Sequence, residues 1–166
     1  NGNLLRTKRL ATTAINGGGG GGGVEIFDWD SNLKWSFELN TDVLRLHHDV
    51  KILPNGNVLM IVWEAKTREE ALAVGRNPDL LPANGIVWSE QIIEVKPLPP
   101  DNSEIVWRWS LWDHLVQDFD ETKQGFGVVS DHPELVDVNY VSSVISDWIH
   151  ANALDYNAEL DQIVLS

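Results

Sequence analysis

The chain reads as all-β, and three observations carry that reading. Asn55-Gly56 stands between apolar runs, and both residues of such a pair accept the positive φ that a two-residue hairpin turn requires. An apolar-Glu-apolar strand, a turn rich in Pro, Asp, Asn and Ser, and a tryptophan-bearing strand occur twice. They run from Val24-Glu25-Ile26-Phe27 to Leu33-Lys34-Trp35-Ser36-Phe37, and from Gln91-Ile92-Ile93-Glu94-Val95 to Ile105-Val106-Trp107-Arg108-Trp109, roughly 70 residues later. A histidine-headed strand also returns. His47-His48-Asp49 opens the first hairpin, and Trp148-Ile149-His150 opens another that passes through Asn157-Ala158-Glu159 into Leu160-Asp161-Gln162-Ile163-Val164-Leu165. Repeated short antiparallel sheets of this kind predict a β-propeller with four-stranded blades. A β-sandwich predicts more even spacing and no periodic histidine.

Within that frame the inner strand of one blade carries His48. The second strand starts at Asn57, the third at Gln91 and the outer at Ile105, and the next inner strand begins near His150. Ahead of them, Asn1-Gly2-Asn3-Leu4-Leu5-Arg6 repeats Asn55-Gly56-Asn57-Val58-Leu59 as a turn entering a strand. Residues 7–16 are small and polar, and the run from Gly17 to Gly23 reads as a flexible connector, because glycine loses the most entropy on ordering. A phosphate-cradling loop needs Lys-Ser/Thr and a helix after the glycines, whereas a strand follows here.

Two stretches interrupt the strands. Residues 64–88 contain Thr67-Arg68-Glu69-Glu70, a capping box, with Gly75 as the stop and Pro78 beyond it, so a short helix is expected. Residues 110–147 are expected to hold a helical turn around 111–116. Proline-rich 97–103 is a turn. In an up-and-down blade both interruptions and the glycine run leave from one rim, and the inner strands enter from that rim. His47, His48 and His150 are therefore expected beside the channel mouth, where loops on a rigid scaffold carry function.

Composition bounds the partners. The 166 residues carry a net charge of −13, which disfavours nucleic acid and anionic membrane surfaces. A hydrophobic content of 43% supports a packed core. No apolar stretch is long enough to span a bilayer, and there is no cysteine. Eight tryptophans sit mostly in strand-like runs. The chain opens on Asn1 without methionine and closes on Ser166 inside an apolar strand. It is therefore expected to be a fragment, 1–166, of one propeller domain, holding about two and a quarter blades. An unclosed propeller leaves sheet edges exposed, so the isolated chain is expected to be inactive and aggregation-prone.

The chemistry is expected at His48 and His150, which the repeat puts at equivalent places in neighbouring blades. The structural reading of each is a hydrogen-bonded histidine at a blade junction. His47 should point to the opposite side of its strand from His48, as a supporting or substrate-binding residue. Asn152 follows His150 by two and should share its face, where it can hydrogen-bond the same ligand. Asp49 and Asp147 are candidates to orient the imidazoles or to pair with backbone amides. Neither a metal nor a cofactor is expected, because no spacing places two histidine or carboxylate ligands on one strand face. His114 and His132 read as surface or lid residues. Asp118-Phe119-Asp120-Glu121 lacks the alternation and glycine of a calcium loop. Trp35, Trp107 and Trp109 suit blade packing, while Trp63, Trp88, Trp112 and Trp148 lie near the rim, where one or two can stack on an aromatic ligand.

These motifs are similar to those of a known family. His47-His48-Asp49 with Leu53-Pro54-Asn55-Gly56-Asn57, then Asp147-Trp148-x-His150-x-Asn152-Ala153 with Asp155-Tyr156 and Asp161-Gln162-Ile163, resemble the bacterial aryl-sulfate sulfotransferases. Trp63-Glu64, Gly75-Arg76-Asn77-Pro78 and Trp112-Asp113-His114-Leu115 extend the likeness over nearly the whole chain. The resemblance implies a six-bladed propeller enzyme. It would move a sulfuryl group from a phenolic sulfate ester to a phenol, without a nucleotide donor and through a sulfated histidine. His48 and His150 match two pocket positions of that family. Its arginine and its sulfated histidine are expected beyond Ser166. The resemblance also implies export to the periplasm or cell exterior, and it allows a homodimer. The alternative is a non-catalytic propeller that binds a ligand or protein and keeps its histidines for structure.

Overall fold

A computed structural model describes residues 2–100 and 102–166 and divides the chain into two units. The first comprises Asn1–Trp63, Gln91–Trp109 and Ala151–Ser166, and the second Glu64–Glu90 and Ser110–His150.

The first unit is built from sheets. Strands β1 (Leu4–Arg9), β2 (Gly22–Phe27) and β3 (Leu33–Glu38) form an antiparallel three-stranded sheet in that order. Strands β4 (Leu44–Ile52), β5 (Val58–Lys66), β6 (Val87–Leu98) and β7 (Asn102–Ser110) form a four-stranded sheet, again in chain order. That is the sheet the repeat predicts. β4 passes to β5 through Asn55-Gly56, where Gly56 has φ 87° and Leu53 both accepts from the Gly56 N–H and donates to the Asn57 carbonyl. Asn1 of the repeated Asn-Gly-Asn turn and Asp101 of the 97–103 turn lie outside the described residues.

Alternation along β5 decides where the core sits. Val58, Met60 and Val62 face one way and join Ile93 and Val95 of β6 against Val24 and Trp35 of the three-stranded sheet. Leu59 and Ile61 face the other way and join Ile92 against Ala151, Leu154, Tyr156, Ile163 and Leu165. The last four belong to the hairpin of β10 (Leu154–Asn157) and β11 (Gln162–Leu165). A strand with successive side chains pointing to opposite faces becomes fully apolar only when both faces are covered, and β5 is such a strand. Trp35 closes one edge of this packing, its indole N–H donating to the Asn102 carbonyl at 3.2 Å and Ser103 Oγ at 3.0 Å. Trp107, expected as a packing residue like Trp35, is instead 42% exposed.

The glycine run is not the flexible connector expected from its composition. Gly21 donates to the Leu46 carbonyl at 3.1 Å and accepts from Leu10 at 2.7 Å, while Gly19 accepts from the His48 N–H at 3.0 Å. Gly20 bridges His47, so the run lies along β4. Hydrogen bonds to a neighbouring strand offset the entropy that glycine loses. The polar stretch before it is also tied down. β1 takes up Thr7 to Arg9, and Ile15 is buried.

The second unit holds the expected helix, α1 (Arg68–Ala73), with a complete capping box. Thr67 Oγ1 accepts from the Glu70 N–H, and the Glu70 carboxylate accepts from the Thr67 N–H. Gly75 follows at φ 81°. The helical turn expected around 111–116 is realised only as a 3₁₀ turn at Leu111–Asp113. It stops there because Leu115–Val116 (β8) pairs in parallel with Val136–Asp137 (β9). Buried Gln117 then organises the loop beyond. Its Oε1 accepts from the Phe119 and Asp120 N–H groups, and its Nε2 donates to the Asp120 and Gln124 carbonyls.

Candidate active site

β4 carries the first histidine pair out of the core. Leu46 points into the apolar layer beneath the three-stranded sheet, and His47, only 3% exposed, follows it. The imidazole of His47 stacks flat on the indole of Trp63 from the neighbouring strand β5, with centroids 3.8 Å apart and planes within 4°.

His48 does not take the opposite side of the strand, as alternation predicts. Its φ is 49°, in the left-handed region that L-residues enter at a cost on the order of 1–3 kcal/mol. That backbone turn brings its ring edge-on to His47, with Nδ1 to Nδ1 at 3.1 Å and ring centroids 5.4 Å apart. The strand period of two fails here because it presumes regular β dihedrals. The residue order carries no mark of this, since a histidine in the left-handed region looks like any other.

Gly19 lies directly against the His48 ring. A Cβ on Gly19 would stand 1.9 Å from His48 Cε1, 2.1 Å from Nε2 and 2.3 Å from Nδ1, so no larger residue fits. The space left among Thr7, Gly19, Leu46, His47, His48 and Val50 is about 20 Å³, room for about one water and too little for a phosphate group. The run therefore packs on the histidine and cradles no phosphate. Arg45, two residues before His47 and fully buried, donates from Nη1 to the Ile15 carbonyl and so anchors the approach to the run. Burial pushes its pKa down. Sequence reasoning passed over Arg45 and the stacking role of Trp63. The available signal was the alternation of Arg45 and His47 with the apolar Leu44 and Leu46 at the start of the strand.

The two aspartates divide the roles foreseen for them. Asp49 pairs with backbone amides, accepting from the Val50 N–H at 2.9 Å and from the Leu154 N–H at 3.0 Å, which ties β4 to β10. Asp147 orients an imidazole, since His150 Nδ1 lies 2.8 Å from its Oδ2. A carboxylate accepts only, so Nδ1 carries the hydrogen and Nε2 is the nitrogen turned to other work.

His150 itself is not in a strand. The β10–β11 ladder begins at the Leu154–Leu165 pair, and 151–153 are held instead by bonds between Asn152, Ala153 and Ser166. The inference that Asn152 shares a strand face with His150 therefore lapses. Asn152 is exposed, and its N–H donates to the Ser166 carbonyl at 2.6 Å.

Trp63, Trp112 and Trp148 are each covered by a ring or cation of the protein. Arg76 lies 5.0 Å from the Trp148 centroid and donates to the Val138 and Leu80 carbonyls. Burial lowers its pKa, and the nearby Asp137 charge opposes that shift. Lys66 Nζ lies 5.3 Å from the Trp112 ring. His114 donates from Nδ1 to the Ser110 carbonyl at 2.9 Å, and His132 lies 3.1 Å from Glu134. Among the described residues no three His, Asp or Glu side chains gather in a geometry that holds a metal ion.

The family model for Arylsulfotransferase (ASST) matches residues 26–166, a range that takes in both histidine motifs. The chain belongs to the arylsulfotransferase family. No curated protein and no solved structure matches it. Membership makes a sulfotransferase-type function, acting on small aryl sulfates and phenols, the chemistry against which the two imidazoles are to be read. The glycine run that seats His48 precedes the matched range, so in this arylsulfotransferase the seat comes from residues ahead of the family segment.

Proposed function

We propose that this arylsulfotransferase moves a sulfuryl group from a phenolic sulfate ester to a phenol, with His48 and His150 acting on the sulfuryl and phenolic oxygens. The observation that carries the proposal is that both imidazoles of the family motifs are held by a side-chain partner, His48 by His47 and His150 by Asp147. A fixed N–H donor stabilises developing charge without reorganising during the reaction, and the Nε2 lone pair of a neutral His150 can take the proton of the acceptor phenol.

A sulfate ester accepts hydrogen bonds at every terminal oxygen. As its S–O bond to the ring breaks, the electron pair goes to the phenolic oxygen. An N–H donor at that oxygen supplies the proton and lowers the barrier. On this reading the sulfur forms an S–N bond to a histidine other than His47, His48 or His150. The acceptor phenol then takes the sulfuryl group from that nitrogen while losing its own proton, so two easier steps replace one. His47 is the supporting residue of the proposal. No cofactor takes part. The family's export to the periplasm or cell exterior is carried over as part of the same reading.

The propeller architecture belongs here too. What supports it is the succession of a three-stranded sheet, a four-stranded meander and a hairpin, with the middle sheet covered on both faces. Successive blades of a propeller stack in that way.

The test is transfer of sulfate from p-nitrophenyl sulfate to a phenol by the full-length protein. His150→Ala is expected to lower the rate by roughly 100-fold or more with the fold intact. Unchanged activity in that variant would remove His150 from the reaction and favour a binding module with structural histidines.

A further inference from the structure

We infer that His47 and Gly19 are positioning residues for His48: Gly19 seats its ring, and His47 sets its tautomer so that the hydrogen rests on Nε2. The inference rests on the sulfotransfer reading only for which nitrogen must carry that hydrogen.

The seat is geometric. The His48 N–H donates to the Gly19 carbonyl at 3.0 Å, and the ring lies where a Gly19 side chain would otherwise begin. The left-handed backbone at His48 aims the ring at this place and at His47 together. Gly19 is itself at φ 74°, so two left-handed residues on neighbouring segments define one ring position. A histidine held in an uncommon backbone region by several independent contacts is the pattern expected of a pre-organised side chain.

The tautomer follows from hydrogen counting. Two Nδ1 atoms 3.1 Å apart make a hydrogen bond only if one bears a hydrogen and the other a lone pair. In a neutral His48, a lone pair at Nδ1 places the hydrogen on Nε2 and makes that nitrogen a donor. Sulfuryl oxygens only accept, so the arrangement that serves them has His47 donating from Nδ1. His47 suits the task because its ring cannot swing: Trp63 stacks against it at 3.8 Å. His150 is set the opposite way, with its hydrogen on Nδ1 toward Asp147, so the two motifs present nitrogens of different character.

The experiment is ¹⁵N NMR of the histidine-labelled full-length protein near neutral pH, with His48 assigned by its loss in His48→Asn. A His48 resonance pattern of the Nε2–H tautomer is expected, and the Nδ1–H pattern overturns the inference whatever the enzyme's activity. In His47→Phe, which keeps a ring against Trp63 but has no Nδ1, the His48 pattern should relax to a mixture. The sulfotransfer rate should fall about 10-fold or more. An unchanged tautomer in His47→Phe also overturns the assignment. Gly19→Ala should shift the His48 signals and lower the rate with melting still cooperative. Signals unmoved in that variant remove Gly19 as the seat. If no sulfotransfer is found in any form, the tautomer of the wild-type protein still decides between the two arrangements.

Discussion

At the residue scale, Glu25 shows how a single side chain is tuned by its neighbours. It sits on β2 opposite Arg6 of β1, accepts from Arg6 Nε at 3.0 Å and Nη2 at 2.8 Å, and lies 3.2 Å from Lys8 Nζ. The Arg6 hydrogen bonds hold its carboxyl below the usual carboxylate range, against the opposing effect of burial and with help from Lys8. A folded-state pKa below the unfolded one stabilises the fold above the unfolded pKa, and that contribution is lost as pH falls through the folded value. Glu25→Gln is therefore expected to lower stability at pH 7 by on the order of 1 kcal/mol. The gap to wild type should close as the pH drops below the ordinary carboxylate range. Melting curves taken from pH 7 to pH 3 check this, and a gap that widens on acidification contradicts it. The apolar-Glu-apolar pattern around Glu25 is visible in the chain. Its partners Arg6 and Lys8 are not, because cross-strand register selects them.

At the element scale, α1 and the loop of Gln117 contrast a local signal with a distant one. The capping box of Thr67 and Glu70 closes within four residues, so it can be read directly, and the Thr67 N–H bond also holds the Glu70 carboxyl below its ordinary range. Thr67→Ala should cost about 1 kcal/mol. Gly75 carries a heavier constraint. It combines φ 81° with a side-chain position 2.5 Å from Gln117 Cδ, and Gln117 holds the following loop through four backbone bonds. Gly75→Ala should therefore exceed the cap loss, which denaturant melts of the two variants compare directly. Equal losses would mean that Gln117 moves aside freely. Sequence reasoning found Gly75 as a helix stop but not Gln117, whose partners mean nothing until the loop is closed. The glycine run is the reverse case, since composition argued for a loose linker and the edge of β4 ordered it.

At the scale of the whole chain, the four-stranded sheet is the organising object because β5 is apolar on both faces. Met60 belongs to the layer against the three-stranded sheet, and Ile61 to the layer against the β10–β11 hairpin. Met60→Ala and Ile61→Ala should each destabilise by about 2–5 kcal/mol, since both leave a cavity. A sheet with one solvated face would tolerate one of the two, so thermal melts that find either variant near neutral contradict the stacked arrangement. The sequence by itself determined the all-β class, the strand order, the Asn-Gly turn, the capped helix and the family. Each is written in short-range periodicity or in motifs of a few adjacent residues. Tertiary structure alone decided that His48 leaves the regular strand, that its ring rests on Gly19 and meets His47, and that His150 precedes its strand. These depend on backbone dihedrals and on contacts between segments up to about thirty residues apart, which no local pattern of residue types encodes.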